Sequence, residues 1–474
     1  MEIKRQNTSI FALFLFANTI LVSFLGLNGP LVQVDTANYY SAAYNFLKGN
    51  GIMLFDGEYL QNAPPLFSIL ALPCYFFEIP ENIYVWLIQF LAFNATLFFC
   101  LKLLSLFNVS NLKLASFFVL TFGFSWLHIW TFALTEAVFL PIYLAWMYFL
   151  LKSGKHTLIY SALFFTLLCL TRYMAWMLLP GILFPILIIN NFWRKAVLSI
   201  IPAAIISAVW LWFNYHFNQK LLGDHNLTNK FSIGAVCDNL INWFNALAND
   251  AFYLNVAFLI YLVLLIASAI LFFWFEPKLD KNIKAAAGLI LGTGVSLLFL
   301  LLAQTGLSLI QFPRYISVLW TPIAICGYLL LEKVKLSIGF KRTLLLTTIG
   351  LHLIAFIFLG RKGYDKLEYN TMSHLAFSNY LQENSCMLGD NNLSNYPDLV
   401  WWVSKKQCKY TPFLNEDRNA FLTRIGSNRN PKIIWFDNQT RAKVMKADLE
   451  WVLKAKPCFN GQGFRIITLD SLFY

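Results

Sequence analysis

The chain has 474 residues, 58% of them hydrophobic and 13% charged, with a mean hydropathy of +0.59. This balance excludes an ordinary soluble protein, a disordered chain, a collagen-like repeat and a small disulfide scaffold. The 46 Phe and 15 Trp exceed what one globular core hides and suit a lipid-facing surface. The net charge of +12 is dispersed between apolar runs instead of forming one basic stripe, so membrane topology explains it better than a nucleic-acid partner.

A bilayer core takes roughly 20 mostly apolar residues per helix. About eleven such runs occur, at approximately 10–27, 82–105, 112–130, 135–151, 157–172, 174–190, 196–214, 251–275, 285–303, 315–331 and 343–360. The run at 64–77 is too short to span and reads as an interfacial or partly re-entrant helix. The expected fold is mainly α: a polytopic transmembrane bundle of about eleven spans over 1–360 with amphipathic outer-loop helices, then a small α/β domain over 361–474. In that domain, Lys432–Phe436 and Phe464–Leu469 read as strands, and stretches near 371–382 and 441–455 as helices.

Lys4, Arg5, Lys102, Lys113, Lys152, Lys155, Arg194 and Lys195 begin the series of basic short loops, while the opposite, longer loops hold only Lys48, Arg172, Lys220, Lys230 and Arg314. The positive-inside bias therefore places the N-terminus in the cytoplasm and the C-terminal domain outside, as expected of a multi-pass protein of a bacterial inner membrane. Lys4 and Arg5 before the first run also fit a signal peptide, but no small-residue cleavage pattern follows before Asp35, so a retained helix is expected. The outside segments are 28–81, an Asn-rich amphipathic stretch at 215–250, and the chain after Gly360. One disulfide, Cys386 with Cys408, fits the outer domain. The chain lacks CxxC, HExxH and any His pair at ligand spacing, so zinc is not expected, and the separated acids without a DxD-type cluster offer no strong site for another divalent metal.

Ionisable groups at the outer rim carry the candidate chemistry. Asp35 begins an amphipathic helix with Tyr39, Ala42, Ala43, Phe46 and Leu47 on one face. It serves as an N-cap, as a proton acceptor, or as both. Glu136, after Thr135, is either a helix-start acid favoured by the dipole or a second carboxylate facing the same cavity. Arg172 and Arg314 oppose the positive-inside bias; each either snorkels to headgroups or binds an anion such as a lipid phosphate. Tyr173 and Tyr315, beside them, belong to an aromatic belt or to the same site.

In order, Asp35, Tyr39, Ala42, Gly49, Gly51 and Pro64-Pro65-Leu66, then Thr135-Glu136, Thr171-Arg172-Tyr173 and Arg314-Tyr315 form a series that resembles the polytopic glycosyltransferases of the C fold class. The nearer relatives in kind are protein O-mannosyltransferases and the aminoarabinose transferases of lipid A. The resemblance covers most of residues 1–360 and departs at Thr36, where many members carry a second acid. It implies transfer, with inversion, of a sugar from a polyprenyl-phosphate donor to an acceptor hydroxyl of a glycan, lipid or protein on the outer side. On that basis Asp35 is the expected base and Glu136 a helper that orients the acceptor or the donor. Arg172 and Arg314 are expected phosphate ligands, and Tyr39, Tyr173 and Tyr315 line the substrate site. Lipid phosphate is already a good leaving group, so no cofactor is required. The rival is a lipid or sugar carrier or flippase; carriers place acids mid-span, whereas here the acids lie at the rim.

Overall fold

The computed structural model describes residues 15, 17–19, 21–22, 34–61, 63–109, 112, 114–116, 130, 135–189, 191–219, 266, 269–270, 280–303, 318, 321–329, 332, 339, 343, 346, 377–381, 388, 392–394, 397–410, 432–436, 457–461 and 464–468. The expected spans at 10–27, 112–130, 251–275 and 343–360 lie largely outside these residues, as do 220–250, 371–376 and 441–455, while the run at 315–331 is described at 318 and 321–329, in helix. In chain order come α1 (Val34–Leu47), α2 (Leu66–Phe76), α3 (Glu81–Leu106), α4 (Thr135–Leu151), α5 (Thr157–Thr171), a 3-10 turn (Tyr173–Leu178), α6 (Leu179–Ile188), α7 (Phe192–Asn218) and α8 (Lys281–Ala303). After them come β1 (Asn392–Ser394), α9 (Pro397–Ser404), β2 (Cys408–Tyr410), β3 (Lys432–Phe436), β4 (Phe459–Gly461) and β5 (Phe464–Thr468). Two compact units result: residues 1–30, 61–67 and 80–362 form the first, and residues 31–60, 68–79 and 363–474 the second.

The first unit is helical. Glu81–Leu106 and Phe192–Phe217 are each 26 residues long and apolar enough to cross a membrane. The 23 residues of α8 reach about 35 Å at roughly 1.5 Å per residue. On α7 the exposed residues Leu198, Ile201, Ile205, Val209 and Trp212 recur every three or four positions. Ala196, Ser199, Ala203, Trp210 and Asn214 are buried on the other side. An apolar stripe turned outward with small and polar residues inward is the inverse of a water-soluble helix, and it fits lipid on the exposed face. Nearly all 17 residues of α4 are buried, as expected for a helix apolar all round at the middle of a bundle; it packs between α3 and α5.

Two devices close the helix contacts of this unit. Where α6 crosses α8, Gly292 stands so near Gly181 that a Cβ on it would come within 2.7 Å of the Gly181 Cα. Asn18 and Asn94 exchange amide hydrogen bonds of 2.9 and 2.8 Å, a reciprocal pairing that satisfies two polar side chains without water.

The second unit joins residues 31–60 and 68–79 to the C-terminal segment. Its mixed sheet runs β2-β1-β3-β5-β4. β1 pairs in parallel with β2 and β3, while β5 is antiparallel to β3 and β4. Phe377, Val400, Cys408, Ile434, Phe436, Phe464 and Ile466 form the core beside it. β3 matches its expected bounds and β5 covers Phe464–Thr468 of its expected range, with Leu469 outside the described residues; the three-residue strands β1, β2 and β4 are too short to show alternation. Helix α1 differs from the expected membrane-surface helix. Thr36, Ala37, Tyr39, Tyr40, Ser41, Ala42, Ala43 and Asn45 are all buried, and among the described side chains only Phe46 and Leu47 of its apolar residues are exposed. The cover is protein: α9 packs against it. Cys408 is a free, buried thiol, and its expected partner Cys386 lies outside the described residues.

Candidate functional site

Helix α5 stops because Arg172 leaves helical geometry, with φ −153° and ψ 139°. The Thr171 hydroxyl donates to the Leu167 carbonyl at 2.7 Å, and the Ala175 N–H donates to the Arg172 carbonyl at 3.0 Å. This opens the 3-10 turn. The break turns two consecutive side chains, Arg172 and Tyr173, toward different polar neighbours.

Arg172 Nη1 lies 2.5 Å from Glu136 Oε1 and donates to Thr135 Oγ1 at 3.1 Å. The Thr135 hydroxyl in turn donates to Glu136 Oε2 at 3.3 Å. The Glu136 side chain is 1% exposed and that of Arg172 13%. A buried carboxylate needs both a counter-charge and hydrogen bonds; here the first turn of α4 adds its positive dipole end. Glu136 and Arg172 were expected to act separately, as helper and as phosphate ligand. The structure joins them. A guanidinium held this way is fixed in orientation, and the paired carboxylate offsets part of its positive charge.

Tyr173 forms the second half of the constellation. Its hydroxyl donates to the Gln61 carbonyl at 3.3 Å and accepts from Trp210 Nε1 at 3.0 Å and Asn214 Nδ2 at 3.1 Å. One donor and two acceptor sites are all a phenol has, so its hydroxyl capacity is taken by the protein. Any part Tyr173 plays toward a substrate falls to its ring. Gln61, Trp210 and Asn214 escaped the sequence reading. The available signal was an Asn in the last turn of an apolar span, four residues after a Trp on the same face.

Asp35 lies in the second unit, half-buried in the first turn of α1, with Tyr39 buried one turn later. Glu136, Arg172 and Tyr173 belong to the first unit. Arg314 and Tyr315 lie outside the described residues. Among the described residues no three of His, Cys, Asp and Glu gather as metal ligands.

No family model matches the chain, and no curated protein does. Solved structures do match over its whole length. ArnT from Cupriavidus metallidurans, an aminoarabinose transferase of the C fold class, bound to undecaprenyl phosphate, superposes with a TM-score of 0.61 at 11% identity over 98% of each chain. The apo state of the same protein gives 0.58 at 10% identity, over 100% of this chain and 99% of that one. The chain therefore has the fold of a C-class membrane glycosyltransferase.

Proposed function

We propose that the protein is an integral-membrane glycosyltransferase that moves a sugar from a polyprenyl-phosphate donor to an acceptor hydroxyl on the outer face of the membrane. The observation that carries this reading is the Thr135–Glu136–Arg172 constellation, a buried and oriented guanidinium on a fold whose solved counterpart was crystallised with undecaprenyl phosphate. Arg172 takes the donor phosphate, with Arg314 as the second cation. Glu136 orients Arg172 and so acts on the donor through it.

Asp35 is the base. It accepts the proton of the acceptor hydroxyl as that oxygen bonds to the anomeric carbon from the side opposite the phosphate. The bond from that carbon to the phosphate oxygen breaks, and its electron pair leaves with the polyprenyl phosphate, inverting the centre. Positive charge near the departing oxygens lowers the barrier as charge develops there. Lipid phosphate leaves without nucleotide activation, so the scheme needs no cofactor. The acceptor is a hydroxyl of a glycan, a lipid or a protein at the outer face of a bacterial inner membrane.

Purified protein in detergent, given a radiolabelled polyprenyl-phosphate sugar and membrane extract, should release polyprenyl phosphate and a labelled acceptor. A carrier needs two compartments and forms no product in detergent, so absence of product with intact donor binding would favour the carrier reading.

A further inference from the structure

We infer that the C-terminal segment clamps the Asp35-bearing helix in its working position, with Trp401 and Trp402 as positioning residues; the inference rests on the role proposed above for Asp35. All the groups concerned lie in the second unit. Tyr40 of α1 meets Trp402 edge-on with ring centroids 5.4 Å apart, and Tyr44 meets Trp401 at 6.2 Å. Tyr75 closes the group against Tyr40 at 6.2 Å and Tyr44 at 5.3 Å. Five rings from three segments far apart in sequence thus share one cluster. Edge-to-face geometry fixes their mutual orientation.

Lys405 locks the two indoles. Its ammonium sits 4.7 Å from the Trp401 ring centroid and 5.1 Å from that of Trp402, and it donates to the Trp402 carbonyl at 2.7 Å.

A second grip reaches α1 through the loop that follows it. The Asn45 amide in the last turn donates to the Met53 carbonyl at 2.8 Å. That loop is tied to the tail where the Cys408 N–H donates to the Phe55 carbonyl at 3.1 Å, and where the Gln407 side chain packs against Gly57. Asp35 is in the first turn of the same 14-residue helix. A helix moves as a rigid rod over this length, so a shift at Tyr40 or Tyr44 is a shift at the carboxylate. Displacements of the order of 1 Å cost about a hundredfold in rate when the moved group must meet a reacting atom.

The test uses the full-length protein in detergent and Trp402, which is half-buried and safer to alter than the fully buried Trp401. Hydrogen exchange over residues 36–47 is followed together with kcat and donor KM. In Trp402→Ala, exchange over 36–47 should quicken about tenfold and kcat fall at least about tenfold. Donor KM should stay unchanged, because the groups assigned to the phosphate belong to the other unit. Trp402→Phe should restore both. Unchanged exchange, or kcat and KM falling together without rescue by Phe, overturns the clamp. Faster exchange with full turnover overturns its catalytic purpose, and Asp35→Asn then shows separately whether Asp35 is needed at all.

Discussion

The Arg172 guanidinium lies 2.5 Å from the Glu136 carboxylate, and both side chains are withdrawn from solvent. The break after α5 delivers one and the first turn of α4 the other. Removing either partner leaves an uncompensated charge in a poor solvent for it, at a cost of roughly 3–5 kcal/mol. Arg172→Ala and Glu136→Leu should each lower the melting temperature in detergent. The double variant Glu136→Leu with Arg172→Met should recover most of that loss and still bind donor poorly. Recovered donor affinity in the double variant would take Arg172 out of phosphate binding.

Tyr173→Phe strips the Trp210 indole of its acceptor, while the Asn214 amide keeps the Gln61 carbonyl at 3.4 Å. A buried donor left without its acceptor costs about 1–3 kcal/mol, so Tyr173→Phe should destabilise by about that much, and Trp210→Phe, which removes the donor, should lessen the effect of Tyr173→Phe when the two are combined. Thermal unfolding of the two single variants and the double variant checks this.

Packing of α6 on α8 depends on two missing side chains. A Cβ at Gly181 would overlap the Leu289 carbonyl and the Thr293 hydroxyl, and one at Gly292 would press on Gly181 and the Phe184 ring. Gly181→Ala and Gly292→Ala should each destabilise by about 1–3 kcal/mol. Gly339→Ala, at a helical position where nothing lies within 4 Å of the added carbon, should not lower the melting temperature and should raise it slightly, since Ala favours a helix over Gly by about 0.5–1 kcal/mol.

Burial, and after it the nearby Asp398 charge, push the Cys408 thiol well above its ordinary value of 9.0. It therefore stays protonated where an ordinary thiol begins to ionise. In a variant keeping only Cys408 and Cys458, a maleimide at about pH 8 should label the exposed Cys458 and spare Cys408. A raised folded-state pKa stabilises fully below the unfolded value and loses that contribution above it. Stability traceable to Cys408 should thus decline as pH climbs past about 9, and Cys408→Ala should flatten that decline. In intact spheroplasts, an impermeant maleimide reaching Cys458 would place the C-terminal segment outside.

Much of the fold was legible because lipid imposes a simple rule: apolar runs of spanning length. The runs at 82–105 and 196–214 became α3 and α7, and the motif order from Asp35 to Tyr173 anticipated the fold seen in ArnT. Side-chain partners were not legible. Arg172 and Glu136 sit in separate apolar runs, and only the packing of α5 on α4 brings them together. The Tyr173 hydroxyl gathers Gln61, Trp210 and Asn214 from two further segments for the same reason. The joining of the α1 segment to the C-terminal segment rests on aromatic rings such as Tyr44 and Trp401. These carry no period that a sequence window detects, and so α1 read as a membrane-surface helix although protein covers it.

Single-turnover transfer from a radiolabelled polyprenyl-phosphate sugar, with wild-type protein and Asp35→Asn compared at saturating donor, asks whether the Asp35 carboxylate removes the acceptor proton. The variant should fold, bind donor like the wild type and form no labelled product. Transfer by Asp35→Asn at a rate near that of the wild type would mean that another group takes the proton.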